Sequence, residues 1–216
     1  MSPQPSPPES PSLIDTLPVR TYTEFKTECL KCKRCRLAET RTQVVVDDGP
    51  TPCDLMLIGE GPGADEDAQG IPFVGRSGQL LTKILETVDI KRPKDVYITN
   101  VVKCRPPGNR APEPDEEAHC RPWLEEQIKL IKPRIIVLVG AVAMKTLLGR
   151  EKAITQMRGT WTQYNGIDTT IIFHPSYLLR YPSPEKGKPK WLTWQDMKAV
   201  KNALELYRSA NAEQKN

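Results

Sequence analysis

The sequence has no apolar run long enough to cross a bilayer. Its longest, Ile135 to Met144, is ten residues, whereas a spanning helix needs about 20. No basic flank leads into an apolar segment at the start, so no secretory leader is expected. Histidine is scarce: only His119 and His174 occur, which excludes a centre built mainly from imidazoles. Phosphate-binding glycine loops are also missing. Gly59, Gly61 and Gly63 are spaced G-x-G-x-G rather than the dinucleotide G-x-G-x-x-G, and no helix is expected directly after them. The stretch from Gly140 to Lys145-Thr146 lacks the glycine before the lysine that a phosphate cradle needs, so Lys145 reads as an ordinary helix lysine. No internal repeat is visible.

Proline is what the chain has in excess. There are 21 in 216 residues, and six of them, with four serines, lie in the first twenty. Residues 1–19 therefore have little to bury and are expected to form a disordered tail. The remainder suits one domain over 20–210, with a short C-terminal tail at 211–216. The charge is slightly basic, 31 Lys and Arg against 27 Asp and Glu. Six cysteines without a leader suggest reduced thiols in a cytosol, and metal rather than disulfides.

Four short apolar runs have strand length: Asp54–Ile58, Val96–Val102, Arg134–Val139 and Thr169–Phe173. Near-continuous apolar runs mark strands covered on both faces. Helical patterns separate them. Ser77 is placed to cap Gln79–Val88, Asp115–Ile131 stops at Lys132-Pro133, Ala141–Leu148 stops at Gly149, and Trp194–Tyr207 is apolar at helical spacing. Strands alternating with helices predict an α/β fold with a parallel sheet, and ligands in such sheets bind beyond the carboxyl ends of the strands. At those ends stand Glu60, Asn100, Gly140 and His174.

Cys29, Cys32 and Cys35 form C-x-x-C-x-x-C, with Cys104 and Cys120 far along the chain and Cys53 ahead of the first strand. A pair from the triplet plus Cys104 and Cys120 would make a four-thiolate site for zinc or an iron–sulfur cluster. Spacing alone decides neither the metal nor the surplus thiol. Cys32 and Cys35 are the preferred pair, with Cys29 to spare and Cys53 a small buried hydrophobe. Between 31 and 41 five basic residues face only Glu39. That suits a phosphate backbone, and equally a solvated face. Glu113, Asp115, Glu116 and Glu117 are explained by a helix start, and His119 reads as structural.

Three segments carry a resemblance. GEGPGADEDAQGIPFVGRSGQLL (59–81), VYITNVVKCRPPGNRAPEPDEE (96–117) and HPSYLLR (174–180), together with the cysteine pairs, resemble a family 4 uracil-DNA glycosylase over about 20–210. The resemblance implies a three-layer sandwich with a four-stranded parallel sheet and helices on both faces. It implies a [4Fe–4S] cluster on Cys32, Cys35, Cys104 and Cys120, with zinc as the runner-up. The implied reaction is hydrolysis of the N-glycosidic bond of uracil in single- or double-stranded DNA, in a bacterial or archaeal cytosol. The expected state is a monomer.

On that reading Phe73 stacks on the everted base and Asn100 reads it, since one amide offers an acceptor for uracil N3–H and a donor for O4. His174 stabilises charge developing on O2. The main glycosylase family has an aspartate where this chain has Gly61, so Glu60 is the favoured residue to orient water, with Asp65, Glu66 and Asp67 as alternatives. Ser77, Pro175, Ser176 and Arg180 would hold DNA, and Leu178 (or Tyr177) would enter the stack as an apolar wedge. A related branch traps its product through a histidine in a basic loop. Here that stretch is Pro106-Pro107-Gly108-Asn109-Arg110, so turnover is expected. Two other classes compete: a non-catalytic metal-stabilised nucleic-acid-binding module, and a hydrolase of small nucleotides. The first leaves the convergence of Asn100, His174 and Phe73 unexplained, and the Pro/Ser tail and basic surface favour a polymer substrate over the second.

Overall fold

The computed structural model describes residues 20–149 and 153–213. The expected N-terminal tail at 1–19 lies outside the described residues. Two helices, α1 (Tyr22–Leu30) and α2 (Leu37–Thr40), precede the first strand, β1 (Leu55–Gly59). Then come α3 (Ala64–Gln69), α4 (Arg76–Glu86), β2 (Tyr97–Asn100) and α5 (Pro114–Ile131). The chain continues through β3 (Ile135–Val139), α6 (Ala141–Leu148), α7 (Ile154–Met157), β4 (Trp161–Tyr164) and β5 (Ile167–Ile172). It ends with α8 (Pro175–Arg180) and α9 (Pro189–Glu213). Among the described residues no helix is long and apolar enough to cross a membrane.

The sheet runs β2-β1-β3-β5-β4. Three pairings confirm the expected parallel core of four strands: β1 lies parallel to β2 and to β3, and β3 parallel to β5. The fifth strand is an addition. β4 pairs antiparallel with β5 through a hairpin whose turn, Asn165-Gly166, has φ of 49° and 79°. Asn-Gly accepts two positive φ values, the geometry that a two-residue hairpin turn demands.

Alternation along the strands builds the three layers. Met56, Ile58, Ile136 and Leu138 point to one face, under Leu124 and Ile128 of α5 and Met144 of α6. Leu55, Leu57, Ile135, Val137 and Val139 point to the other, under Leu81 and Leu85 of α4 and Met197, Val200 and Leu204 of α9. These side chains are buried, and each contributes roughly 1.5–3 kcal/mol by leaving water.

Three local expectations differ. A helix does follow the glycines: α3 starts at Ala64, its Gly63 N-cap amide bonded to the Glu66 carboxylate. Acidic residues at 65, 66 and 67 suit the positive end of a helix. Ser77 does not cap α4, because Gly75 does and Ser77 is the second helical residue. Helix α9 extends to Glu213, past the boundary expected at 210.

Candidate active site

The carboxyl ends of β1, β2, β3 and β5 open into one cleft of about 520 Å³. The chain crosses from β2 on one side of β1 to β3 on the other, and such a reversal leaves a crevice beside the strand ends. Glu60, Gly61, Phe73, Ser77, Asn100, His174, Ser176 and Arg180 all line it.

Asn100 is the last paired residue of β2, opposite Gly59 of β1. It is 1% exposed. Its Oδ1 is the one buried side-chain oxygen or nitrogen without a hydrogen-bond partner among the described residues. A buried acceptor left unpaired costs about 1–3 kcal/mol, so this atom is poised for a ligand donor. Glycine at 59 makes the arrangement possible, since a Cβ there would collide with Asn100 Oδ1 and the Phe73 ring.

Phe73 sits beside the amide with φ of 54°, a conformation that bulky residues rarely adopt and that costs on the order of 1–3 kcal/mol. Arg92 holds it there. Its guanidinium donates to Phe73 O at 2.8 Å and Pro72 O at 2.9 Å, and is itself anchored on Asp48 at 2.7 Å. The Phe73 ring lies 5.8 Å from the His174 ring, centroid to centroid.

His174 caps α8 with its own ring. Nδ1 accepts from Ser176 N at 3.2 Å and lies 2.8 Å from Ser176 Oγ. A backbone N–H only donates, so Nδ1 is the acceptor and the ring proton sits on Nε2. Burial pushes the imidazole pKa down to about 4, against a raising influence from Glu66 and a lowering one from Arg180. The ring is therefore neutral near pH 7 and presents an Nε2–H donor.

Two carboxylates of the first loop line the cleft, Glu60 and Glu66. Glu66 is committed: it accepts from Val74 N and Gly75 N at 2.9 Å and from Gly63 N at 3.1 Å. Asp67 is buried against Thr42 N at 3.0 Å. Glu60 is half-buried, and its pKa is raised first by burial and then by Glu117. Gly61 packs its backbone on Val102, whose Cγ2 would stand 2.8 Å from a Cβ at 61.

The α8 loop corrects one expectation. Leu178 is fully buried, on a helix packed against α4. A wedge must reach the DNA stack, so Leu178 serves packing here, while Leu179 and Tyr181 are the exposed apolar groups. Pro175 is also buried, whereas Ser176 and Tyr177 are half-buried. No residue pattern pointed to Arg92, which lies 19 residues beyond Phe73 and acts through main-chain carbonyls.

Cys32, Cys35, Cys104 and Cys120 line a second, narrow cavity of about 10 Å³. Cys29 is buried in the core beside it, and Cys53 bonds Leu55 O at 3.3 Å, away from it. Donors already point at the sulfurs: Trp123 Nε1 to Cys32 Sγ at 3.1 Å, Arg41 to Cys104 Sγ at 3.1 Å and Lys103 N to Cys120 Sγ at 3.3 Å. Burial pushes the Cys104 thiol up to about 12, partly opposed by Arg41. Burial of this kind favours the neutral thiols, so a cationic centre bound here would displace their protons. Among the described residues no three ligating side chains converge on a single-ion geometry. His119 is exposed, its Nδ1 beside Asp115 O at 2.6 Å.

Comparison with known proteins agrees with this architecture. Residues 46–198 match the model of the uracil DNA glycosylase superfamily. A type-4 uracil-DNA glycosylase of Thermotoga maritima is 48% identical over 157 residues, 72% of this chain and 81% of that protein. Those of Sulfurisphaera tokodaii (40%, covering 71% and 72%) and Saccharolobus solfataricus (37%, covering 82% and 83%) are similar over comparable spans. With its cleft at the strand ends and its four gathered thiols, the chain belongs to the uracil DNA glycosylase superfamily, among the type-4 enzymes.

Proposed function

We propose that the cleft receives a uracil turned out of DNA, and that Asn100, Phe73, His174 and Glu60 divide the work of removing it. The chain is a DNA repair glycosylase that releases uracil. The observation that carries the division of labour is the unpaired Asn100 Oδ1 beside the Phe73 ring and a neutral imidazole.

Oδ1 accepts uracil N3–H, and the same amide's NH₂ donates to O4. Cytosine has an acceptor at N3 and a donor at C4, so it meets the locked amide with both patterns reversed. Phe73 stacks on the base. As the N1–C1′ bond breaks, its electron pair passes to the uracil ring and negative charge gathers on O2. The His174 Nε2–H donates to that oxygen, a contact able to supply on the order of 10²–10³ in rate. Water adds to C1′, oriented by Glu60. The water oxygen stays on the sugar, leaving an abasic site. Ser77, Ser176 and Arg180 at the cleft rim, with Pro175 bracing the turn, hold the phosphates beside the gap.

Cys32, Cys35, Cys104 and Cys120 would hold a [4Fe–4S] cluster rather than zinc on this reading, which is supported by the N–H donors aimed at three of the four sulfurs. When bound, the cluster supplies cross-linking rather than redox chemistry, joining the segment after α1, the segment after β2 and α5.

The test is incubation with a uracil-containing oligonucleotide, followed by alkaline cleavage of abasic sites. The wild-type chain should cut at uracil and leave no covalent adduct. Asn100→Ala and His174→Ala should lose on the order of 10²–10³ in rate, and Glu60→Gln less. A larger loss for Glu60→Gln than for His174→Ala overturns the roles assigned here.

A further inference from the structure

Beneath the cleft floor lies a polar chain that catalysis does not call on directly. Lys103 is 1% exposed, an unusual place for an ammonium group. Its Nζ donates to Asn100 O at 2.6 Å and to Thr99 Oγ1 at 2.7 Å. Thr99 Oγ1 lies 2.8 Å from Val46 O and 3.2 Å from Gln127 Oε1. Gln127 Nε2 donates to Tyr97 OH at 2.7 Å, and Tyr97 OH lies 2.7 Å from Tyr22 OH. Tyr22 OH donates to Asp47, which Lys26 pairs at 2.8 Å.

Lys103 donates to Thr99, whose single hydroxyl proton has Val46 O at 2.8 Å and Gln127 Oε1 at 3.2 Å as acceptors, and from Gln127 Nε2 the bonds run through Tyr97 and Tyr22 to the Asp47 carboxylate. Bonds linked in this way polarise one another. The inner end falls on Asn100 O, at the carboxyl end of β2, in the peptide whose Val101 N–H donates to Gly59 O at 2.9 Å. Lys103 therefore holds the carbonyl of the peptide whose N–H the sheet holds. Among the described residues every buried polar side-chain atom but Asn100 Oδ1 has a partner. The network is closed on the protein side and open only toward the base.

We propose that Lys103, held by Thr99 and Gln127, is a positioning residue that locks the Asn100 amide and so sets the affinity of the pocket for uracil. It touches no substrate atom. Its action is to keep the amide from swinging into orientations that suit other bases. The inference rests on Asn100 reading the base, as proposed above.

Free uracil as an inhibitor isolates the pocket, and binding of abasic product DNA reports the phosphate contacts. Thr99→Val keeps the shape but removes the hydroxyl that steadies Lys103, Thr99→Ser keeps the hydroxyl, and Lys103→Met removes the donor. The uracil inhibition constant should rise about tenfold in Thr99→Val, the loss expected from one hydrogen bond. It should rise further in Lys103→Met and return toward wild type in Thr99→Ser. Abasic DNA affinity and the visible absorbance should hold. Unchanged uracil inhibition in Thr99→Val overturns the proposal, as does a parallel fall in uracil and abasic affinities. If Lys103→Met fails to fold, the Thr99 pair still decides. A wild-type chain that releases no uracil would instead defeat the glycosylase reading, and Asn100→Ala with normal uracil inhibition would remove the amide from the pocket.

Discussion

His174 shows how much one side chain's surroundings decide. Its ring accepts from the Ser176 amide and is buried, which lowers its pKa from 6.5 to about 4. The folded state thus binds its proton less readily than the unfolded chain does. The stability this gives is fully present above pH 6.5 and is lost as the pH falls through about 4. The difference corresponds to about 3 kcal/mol. NMR of the ring nitrogens should show a neutral Nε2–H form at pH 6 and a midpoint near the lower value, whereas a midpoint near 6.5 would mean a solvated ring. His174→Gln should flatten the loss of thermal stability across that acidic window. Asn100 and His174 were legible as candidates because one lies within and the other just after a strand-length apolar run, whereas Phe73 was singled out through the motif that carries the resemblance. Leu178 was not. Leu178 and Leu179 are adjacent and chemically identical, and only the packing of α8 on α4 buries one and exposes the other.

At the scale of elements, backbone space rather than side-chain identity governs the pocket. Helix α4 presses so closely on the Phe73 peptide that a Cβ at Gly78 would strike its carbonyl. Gly78→Ala should therefore cost roughly 1–3 kcal/mol by overpacking, and should also slow uracil release, because relief requires the stacking ring to move. Gly108→Ala is the control. Unlike Gly78 it has positive φ, 65°, and open space around it, so it should cost about 1 kcal/mol from the backbone alone and leave the rate unchanged. Chemical denaturation and kcat/KM for the two variants separate these outcomes, and equal kinetics would remove the steric argument. The same logic explains what the sequence hid. Periodicity located β1, β2, β3 and β5. It passed over β4, whose residues are alternately exposed and half-buried, so no continuous apolar run marks it. The Asn165-Gly166 turn was the available sign.

At the scale of the molecule, the four thiols come from three separate parts of the chain, two of which Arg36 also ties through Glu113, Asp115 and Glu116. Cys32 and Cys35 follow α1, Cys104 follows β2, and Cys120 lies within α5. Cys104 and Asn100 belong to the same short segment, so a cluster held by these thiols would also tether the strand end proposed to read the base. That the cysteines converge was legible from their spacing, but which of the triplet is spare was not. The structure separates them, placing Cys29 in the core and the other two on the cavity wall. A cross-link that closes a loop of this length stabilises by about 4–5 kcal/mol when it constrains the unfolded chain. Cys104→Ser should therefore abolish the visible absorbance of the purified protein and lower its thermal midpoint. Cys53→Ser should keep the colour, because Cys53 bonds only a main-chain carbonyl near β1. Uracil excision by Cys104→Ser should fall with the tether, since the segment carrying Asn100 loses its far anchor. A colourless wild-type protein containing zinc would replace the cluster with a single ion. A coloured Cys104→Ser variant of unaltered midpoint would show that the clasp does not use this thiol, and the link drawn from cluster to base-reading strand would fail with it.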